Sequence, residues 1–295
     1  MNIYRNWLLA SRPWSFSMTL ISVSVGAAIA AVDGAFSWPL YLFTLFCMVL
    51  LHAATNLLND YYDVLSGVDF NETSTAMYRP HPLLEGRLES SWVKTVAYVL
   101  YGIVAAAGIY LAATRGWIVL VFGLIGVIAS VSYTAPPFRY KYKGLGEFSV
   151  FLMWGPLMIE GSYFVQRQQL SESAFLVSLP FGALVALVLL VNNLRDMKHD
   201  LEKGIQTLPI LIGHSNGIRL FLLLLISAYL SVFWMSFMGP LRIWSLMVLL
   251  SVPLAFRLLK QMVRKIPFDG DAQTAKLDTA FGALLLTSLI VGGLF

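Results

Sequence analysis

Long apolar segments dominate this chain and restrict the folds that it can adopt. Nine of them approach the roughly 20 residues that a helix needs to cross a bilayer. They cover residues 15–32, 38–58, 91–113, 117–134, 147–165, 173–192, 217–238, 242–259 and 277–294. Only 12% of the residues are charged, about half the share of a soluble domain. The sequence therefore predicts an all-α polytopic membrane protein: one domain over residues 1–295, with nine transmembrane helices around a central cavity.

Basic residues are distributed unevenly between the two sides of the predicted bundle. With the N-terminus inside, the inner connections hold 17 of the 20 lysines and arginines, and the outer ones keep Arg115, Arg167 and Arg242. Because positive charge stays on the cytoplasmic side, we expect the N-terminus inside and the C-terminus outside. The net charge of +4 comes from the basic residues of the inner connections. We therefore expect the lipid bilayer as a partner, and not nucleic acid.

Two acid-rich motifs, residues 56–69 and 192–200, follow the second and sixth apolar segments. Each carries polar residues at four-residue spacing, which form one stripe if the helix continues. These residues are Asn59 and Asp63 in the first motif, and Asn192, Asp196 and Asp200 in the second. The motifs resemble an internal pseudo-repeat, and such repeats often place a binding site at their interface. We therefore predict one site between two halves of the protein, on the cytoplasmic side.

Closely spaced carboxylates repel one another and need a cation nearby. Oxygen-only ligands favour Mg²⁺, which usually bridges a few carboxylates to substrate phosphates. Basic residues also surround the motifs: Arg195, Lys198, Lys203, Arg79, Arg87, Arg139, Lys141 and Lys143. Mg²⁺ together with several basic side chains suits a diphosphate, because the metal and the side chains would neutralise the negative charge that develops on this leaving group. Taken singly, each basic residue is also explained as a lipid anchor, except Arg195 and Lys203, which lie in or next to the second motif.

A diphosphate bound at the edge of apolar helices indicates a substrate whose remainder is apolar. A polyprenyl chain would gain about 0.8 kcal/mol for each buried CH₂. Ionisation of such a substrate produces an allylic cation, which the π faces of aromatic rings stabilise. The aromatic residues near the inner side are Tyr61, Tyr62, Tyr133, Phe138 and Tyr140. Most of them fit an interfacial belt, and Tyr133 is the strongest functional candidate.

Four stretches make the chain recognisable beyond these patterns. They are NDYYD and GVD at 59–63 and 67–69, YT and GLGE at 133–134 and 144–147, GPL at 155–157, and NNLRD at 192–196 followed by Asp200. On these residues the chain resembles the UbiA superfamily of intramembrane aromatic prenyltransferases over nearly its whole length. Within that superfamily it is most similar to the menaquinone-type branch, whose acceptor is 1,4-dihydroxy-2-naphthoate or a related quinone precursor.

The resemblance implies a nine-helix fold that uses Mg²⁺ to ionise a prenyl diphosphate, which then alkylates an aromatic acceptor. It implies two metal sites: Asn59, Asp63 and Asp69, with Asp60 as a further ligand, and Asn192, Asp196 and Asp200. It implies a diphosphate grip by Lys203, Arg139, Lys141 and Lys143, to which Arg79 is added. The candidate catalytic residues are then Asp63, Asp196, Tyr133 and Arg195.

Two alternatives stay open at this stage. A transferase of the same superfamily would use hydroxybenzoate, homogentisate or a glycerol-phosphate lipid as its acceptor. A membrane transporter or lipid carrier would place an acidic pair at the bilayer midplane. The carrier is disfavoured because both motifs lie on the cytoplasmic side and the spans hold little charge besides Glu160.

Glu160 lies inside the fifth apolar segment, where an acidic residue is a functional candidate by default. In a functional role, its carboxylate would recognise a hydroxyl or amino group of the acceptor or take its proton. In a structural role, it would form a helix–helix hydrogen bond or reach the outer interface. The sequence leaves both roles open, and it leaves the oligomeric state open as well.

Overall fold

The computed structural model describes residues 3–68 and 79–294, which form helices joined by short connections. Within these residues there is no β-strand. In chain order the helices are α1 Ile3–Ala10, α2 Phe16–Val32, α3 Trp38–Leu65, α4 Ser90–Arg115, α5 Ile118–Thr134, α6 Gly146–Arg167, α7 Glu172–Glu202, α8 Leu208–Ile212, α9 His214–Met238, α10 Ile243–Arg264 and α11 Gly270–Leu294. The predicted all-α class is confirmed.

Eight helices in the described part of the chain are long and apolar enough to cross a membrane. They are α2, α3, α4, α6, α7, α9, α10 and α11, and each coincides with a predicted segment. The remaining predicted span, 117–134, is helix α5, which has 17 residues. At about 1.5 Å per residue this helix is roughly 26 Å long, slightly less than the bilayer core of about 30 Å. The count of nine transmembrane helices therefore stays a prediction.

The two helices that carry the acid-rich motifs are longer than their predicted apolar segments. Helix α3 runs seven residues beyond 58, and α7 runs ten residues beyond 192. The apolar character ends where the polar residues begin, whereas the backbone continues as a helix, and the polar side chains on these turns have hydrogen-bond partners. Residues 56–65 of the first motif and the whole of the second therefore lie on the C-terminal turns of long helices. The partial negative charge of a helix C-terminus disfavours carboxylates there, which raises the need for cations.

Helix α6 bends in its middle, where Met153–Leu157 form one π-helical turn. Pro156 has no backbone N–H to donate, and Gly155 has a non-helical ψ of -106°. A side chain on Gly155 would begin 3.0 Å from the Cα of Gly182 in α7, so the two helices approach closely at the bend. The span predicted over 147–165 coincides with α6, and the bend within it is a feature that hydropathy does not report.

Helix α7 forms the centre of the main core. Its buried side chains pack with residues from α2, α6, α9, α10 and α11, among them Phe181, Leu184, Leu187, Leu190, Phe221 and Phe281. A helix that is apolar on all faces is expected inside a bundle. Large apolar side chains such as Ile103, Leu124 and Leu230 are instead exposed on the outer surface, as expected for contact with lipid.

Gly26 of α2 allows a close approach to α6, because a Cβ there would lie 2.2 Å from the carbonyl oxygen of Ile159. We expect Gly26→Ala to lower the midpoint of thermal unfolding by at least about 4 °C, since backbone must move to relieve the clash. The matched control is Gly102→Ala in α4, where a Cβ meets nothing within 4 Å. Equal midpoints for the two variants in detergent would contradict the predicted close packing of α2 and α6.

Candidate active site

A cavity of about 990 Å³ lies within the bundle, between α3 and α7. Most of its wall is apolar, with side chains that include Leu51, Leu120, Val127, Leu157, Val188 and Leu189. Its polar wall residues near the helix ends include Asn59, Asp63, Lys141, Asn192 and Asp271. The cavity therefore connects an apolar compartment to a charged end, at the C-terminal turns of α3 and α7.

The first motif places Asn59 and Asp63 side by side on the cavity wall. Asn59 Nδ2 donates to Asp63 Oδ2 at 2.8 Å. Lys141, in the 3₁₀ turn Tyr140–Tyr142, donates to Asn59 Oδ1 at 3.0 Å and to Asp63 Oδ2 at 2.6 Å. The hydroxyl of Tyr142 donates to Asp63 Oδ1. Because the Asp63 side chain is only 3% exposed, these donors replace most of the water that would solvate its charge.

Asp60 points away from this pair, since consecutive helical residues are about 100° apart. It forms an ion pair with Arg12, and His81 Nε2 lies 3.9 Å from its Oδ2. Arg12 follows α1 with a left-handed backbone, φ 55°, and this bend brings the N-terminal segment against α3. Asp60 is not part of the cavity wall, so the structure does not bring it together with Asn59 and Asp63.

In the second motif, the Arg195 guanidinium holds the neighbouring oxygen atoms. It donates to Asn192 Oδ1 at 2.6 Å and to the two oxygens of Asp196 at 2.9 and 2.7 Å. It also donates to Asp271 Oδ1, at the start of α11, at 2.8 Å. Arg79 reaches the second oxygen of the same Asp271 at 3.5 Å. Arg195 therefore ties the second motif to the last helix.

Asp200 brings the two motifs into one site. It is buried one turn beyond Asp196, and the preceding residue, His199, has its Nε2 3.1 Å from the carbonyl oxygen of Val68, just beyond the end of α3. The two helix ends therefore face each other across the polar end of the cavity. The predicted convergence of Asp63 with Asp196 and Asp200 agrees with this arrangement.

The structure separates the basic residues that the sequence grouped together. Lys141 lies on the cavity wall, whereas Arg139 and Lys143 do not, and Lys143 is exposed. Arg139 has a left-handed backbone, φ 46°, and begins the 3₁₀ turn that aims Lys141 at the first motif. Alternate residues of a tight turn point in different directions, so the side chains of Arg139, Lys141 and Lys143 do not converge on one binding site.

Lys203 follows the second motif and lies against the end of the first. Its Nζ is 4.0 Å from the position where a side chain on Gly67 would begin. Gly67 itself needs a positive φ, 67°, to end helix α3. Asp69, the third predicted ligand of the first metal site, lies outside the described residues.

Tyr133 lies on the cavity wall beside the first motif, as expected for a residue that faces substrate. Its ring is 5.5 Å from that of Tyr140 in an edge-to-face pair, and Lys141 Nζ is 5.8 Å from its centroid. The Tyr140 hydroxyl donates to the carbonyl oxygen of Ala129 at 2.7 Å. Burial raises the pKa of Tyr140, which keeps this hydroxyl neutral and able to donate.

Three residues of the site were missed from the sequence: Arg12, Tyr142 and Asp271. In the sequence, Arg12 is one of many inner basic residues, and Tyr142 lies between Lys141 and Lys143, whose charges dominate that loop. Asp271 occurs in a polar connection before the last span, at the first turn of α11. An acid in the first turn of a helix is usually explained by the helix dipole, so nothing in the sequence signalled its ion pairs.

Glu160 lies in the C-terminal half of α6 and is not part of the cavity wall. Its Oε1 accepts a hydrogen bond from the backbone N–H of Ser171, the residue before α7. This bond ties the α6–α7 connection to α6. The geometry favours the structural role of Glu160 over recognition of an acceptor.

The donor set of the two motifs fits a hard divalent cation. Among residues 3–68 and 79–294, no three His, Cys, Asp or Glu side chains form a complete metal cage. Instead, an amide and a carboxylate oxygen are paired in each motif, and a side-chain cation already bridges each pair: Lys141 in the first and Arg195 in the second. Mg²⁺ is usually held by one or two carboxylates together with substrate phosphates, which suits such half-built sites.

Comparison with known proteins identifies the family. The model of the UbiA prenyltransferase family matches residues 19–285. The chain belongs to this family. It is 29% identical over 289 residues to 1,4-dihydroxy-2-naphthoate octaprenyltransferase from Bacillus subtilis (strain 168), covering 97% of this chain and 92% of that protein. It is 32% identical over 296 residues to UbiA prenyltransferase domain-containing protein 1 from Xenopus tropicalis, covering 97% and 81%.

A solved structure supports the same fold. The UbiA homolog from Archaeoglobus fulgidus bound to GPP and Mg²⁺ superposes with a TM-score of 0.65 at 15% identity, covering 97% of this chain and 99% of that one. The predicted family is therefore confirmed, together with its membrane-embedded fold. The chain is a prenyltransferase and an integral membrane protein, and the carrier alternative is set aside.

Proposed function

We propose that this prenyltransferase moves a polyprenyl group from a prenyl diphosphate to an aromatic acceptor, with 1,4-dihydroxy-2-naphthoate as the preferred acceptor. One observation carries the proposal: an apolar cavity of about 990 Å³ ends at the paired oxygens of two motifs. The Bacillus relative, whose name gives 1,4-dihydroxy-2-naphthoate and an octaprenyl group, supports the choice of acceptor. The UbiA homolog bound to GPP and Mg²⁺ supports the donor and the metal.

We propose that the charged end of the cavity holds the diphosphate. Asn59 and Asp63 from α3 and Asn192, Asp196 and Asp200 from α7 would hold Mg²⁺, with Asp69 completing the first set. When bound, Mg²⁺ would supply positive charge that neutralises the diphosphate as it leaves. Lys141, on the cavity wall, would add a point charge to the same oxygens. Lys203 and Arg79 would contact the diphosphate from the rim.

The apolar compartment suits the prenyl chain. Burial of its methylenes would stabilise the complex, and the apolar wall would exclude water from the reacting carbon. When the C1–O bond breaks, the diphosphate takes the electron pair and C1 becomes an allylic cation. Tyr133, on the wall beside Lys141, would face this cation with its π surface.

The acceptor ring then supplies the electron pair for the new C–C bond. A ring carbon attacks C1, and the ring restores its aromaticity by losing a proton, or CO₂ if that carbon bears a carboxylate. Residues 1–295 would form one domain, in which α3 and α7 contribute the two halves of the site. We also propose that this site and the N-terminus face the cytoplasm, because 17 of the 20 basic residues lie on that side.

Product formation by the purified protein tests this proposal. The protein in lipid or detergent receives Mg²⁺, geranylgeranyl diphosphate and 1,4-dihydroxy-2-naphthoate, and the organic extract is followed by mass spectrometry. We expect a prenylated naphthoate product that disappears with EDTA and returns with added Mg²⁺. Parallel reactions contain hydroxybenzoate, homogentisate or a glycerol-phosphate lipid. A product from one of these alone would overturn the proposed acceptor and leave the prenyl transfer intact.

A further inference from the structure

A second polar position lies deeper in the cavity than the metal motifs. Asn56 of α3 lines the cavity wall, three residues before Asn59. Its side-chain nitrogen donates to the carbonyl oxygen of Ser11 at 2.9 Å and to Ser15 Oγ at 3.2 Å. A carbonyl oxygen only accepts hydrogen bonds, so the amide nitrogen, not the amide oxygen, must face Ser11.

The partners of Asn56 are themselves fixed in direction. Trp154 Nε1 donates to Thr19 Oγ1 at 3.1 Å, and Thr19 in turn lies 2.8 Å from His52 Nδ1. The Ser15 hydroxyl donates its proton to the carbonyl oxygen of Arg12 at 2.7 Å, so Ser15 Oγ can only accept from His52 Nε2, which lies 3.2 Å away. The imidazole therefore carries a proton on Nε2, directed at Ser15 Oγ.

This chain of bonds leaves one atom of the amide without a donor. Both protons of Asn56 Nδ2 have acceptors, and within residues 3–68 and 79–294 no group donates to Asn56 Oδ1. Oδ1 is not fully buried. Because Asn56 lines the cavity wall while its nitrogen is held by Ser11 and Ser15, Oδ1 is the atom of this amide left to accept a hydrogen bond from a ligand.

The depth of Asn56 matches the position of the reacting ring. Along a helix axis, residues three and seven positions apart are separated by roughly 4.5 and 10.5 Å, which places Asn56 inward of Asn59 and of Asp63 respectively. The C1 carbon of a prenyl diphosphate is next to its phosphates, and the attacking carbon must come within about 3–3.5 Å of C1. An acceptor ring in that position would lie against this turn of α3.

The two halves of the site differ at this depth. If Asp63 is aligned with Asp196, Asn56 is aligned with Leu189 of α7, and both residues line the cavity. On the α3 side, further polar side chains share the wall, among them Ser15, His52, Thr55 and Ser130. On the α7 side, the neighbours of Leu189 are Val185 and Val188. This asymmetry suits a polar acceptor against α3 and an apolar prenyl chain against α7.

We propose that Asn56 Oδ1 accepts a hydrogen bond from a ring hydroxyl of the aromatic acceptor and so orients the ring for attack on C1. The proposal rests on the function proposed above and specifies its substrate: the acceptor presents a free hydroxyl at this position. An ether has no proton to donate to Oδ1, and a carboxylate only accepts hydrogen bonds, so its oxygen would face another acceptor. The same hydrogen bond increases electron density on the ring oxygen, which strengthens the nucleophile.

Methylation of the substrate tests this contact. We would measure kcat/KM for 1,4-dihydroxy-2-naphthoate and for each of its two monomethyl ethers, with the wild-type protein and with Asn56→Leu. For one ether, the ratio of kcat/KM for the parent naphthoate to kcat/KM for the ether is expected to be about tenfold larger in wild type than in Asn56→Leu. A factor of this size corresponds to the loss of one neutral hydrogen bond. Intrinsic differences in ring reactivity cancel in this comparison, because both proteins receive the same substrates.

Two control variants separate recognition from support of the fold. Ser15→Ala removes one of the two acceptors that hold the amide nitrogen, and Asn216→Leu makes the same substitution as Asn56→Leu at an exposed amide of α9, away from the cavity wall. Both are expected to keep the discrimination of wild type, and the KM for prenyl diphosphate is expected to stay within about twofold in Asn56→Leu. An equal rise of KM for both substrates in Asn56→Leu would overturn the proposal, because it indicates a purely structural role.

Other outcomes are equally decisive. Unchanged discrimination in Asn56→Leu would overturn the proposal, and Asn56→Ala repeats the test if the leucine variant does not fold. Binding of the ethers to wild type without prenyl diphosphate is a second measurement, and equal affinity for both ethers and the parent would also overturn it. If wild type makes no naphthoate product, the proposed acceptor has failed, and the comparison is made with 4-hydroxybenzoate and its methyl ether.

Discussion

Replacing Asp63 or Asp196 by asparagine is expected to lower turnover at least about 100-fold while the protein stays folded. Loss of one group that stabilises transition-state charge typically costs a factor of about 10²–10³. Asparagine keeps the shape of aspartate and one acceptor oxygen, which can bond to Tyr142 or Lys141 at position 63, or to one nitrogen of Arg195 at position 196. The negative charge that would hold Mg²⁺ is lost.

Diphosphate release and metal binding would be measured on the same preparations. Mn²⁺ added with inorganic diphosphate is expected to bind wild type more tightly than either variant, which gives a readout independent of turnover. Asp269→Asn is the matched control, because Asp269 lies just before α11 and bonds to Gln273 at 2.8 Å. Full activity in folded Asp63→Asn or Asp196→Asn would rule out two metal sites built on these carboxylates.

Replacing Lys141 by methionine is expected to lower kcat/KM for the prenyl diphosphate by about 10²–10³. Methionine keeps much of the length of lysine but removes the charge that contacts Asn59 Oδ1 and Asp63 Oδ2. Loss of one partner also leaves the buried Asp63 carboxylate uncompensated, so a lower unfolding midpoint is expected. The kinetic constants and the midpoint would be measured in the same detergent.

Two further variants make the Lys141 result specific. Lys143→Met removes an exposed charge from the same loop and is expected to change kcat/KM less than about threefold, in line with a surface charge. Lys141→Met combined with Asp63→Asn is expected to recover stability without activity, because no buried charge is left unpaired. Equal losses for Lys141→Met and Lys143→Met would show that the loop acts only through its overall charge.

Prediction from the sequence was most accurate for features that show as a regular pattern of side chains along the chain. The apolar segments located every described span, because a helix in lipid needs a nearly unbroken run of apolar side chains. The spacing of Asn192, Asp196 and Asp200 predicted a helical stripe, and α7 does continue through these residues. Both properties are local, since they depend on residues within one or two turns.

Prediction was weakest where partners come from distant parts of the chain. Asp60 and Asp63 look equivalent in the sequence, yet one pairs with Arg12 and the other with Lys141. Glu160 resembles a buried functional acid until Ser171 is seen to donate to it. In each case, the direction in which a side chain points across the bundle decides its role.

The sequence by itself determined the class of fold, the family and the two acid-rich helix ends, because hydrophobicity and motif spacing are properties of contiguous residues. Only the tertiary structure decided which oxygen atoms share a cation, which of three neighbouring basic residues reaches the cavity, and that Ser11 and Ser15 hold the amide nitrogen of Asn56. These features depend on contacts between residues that lie tens of positions apart, such as Lys141 with Asp63 and Arg195 with Asp271. Such contacts exist only after the helices have packed.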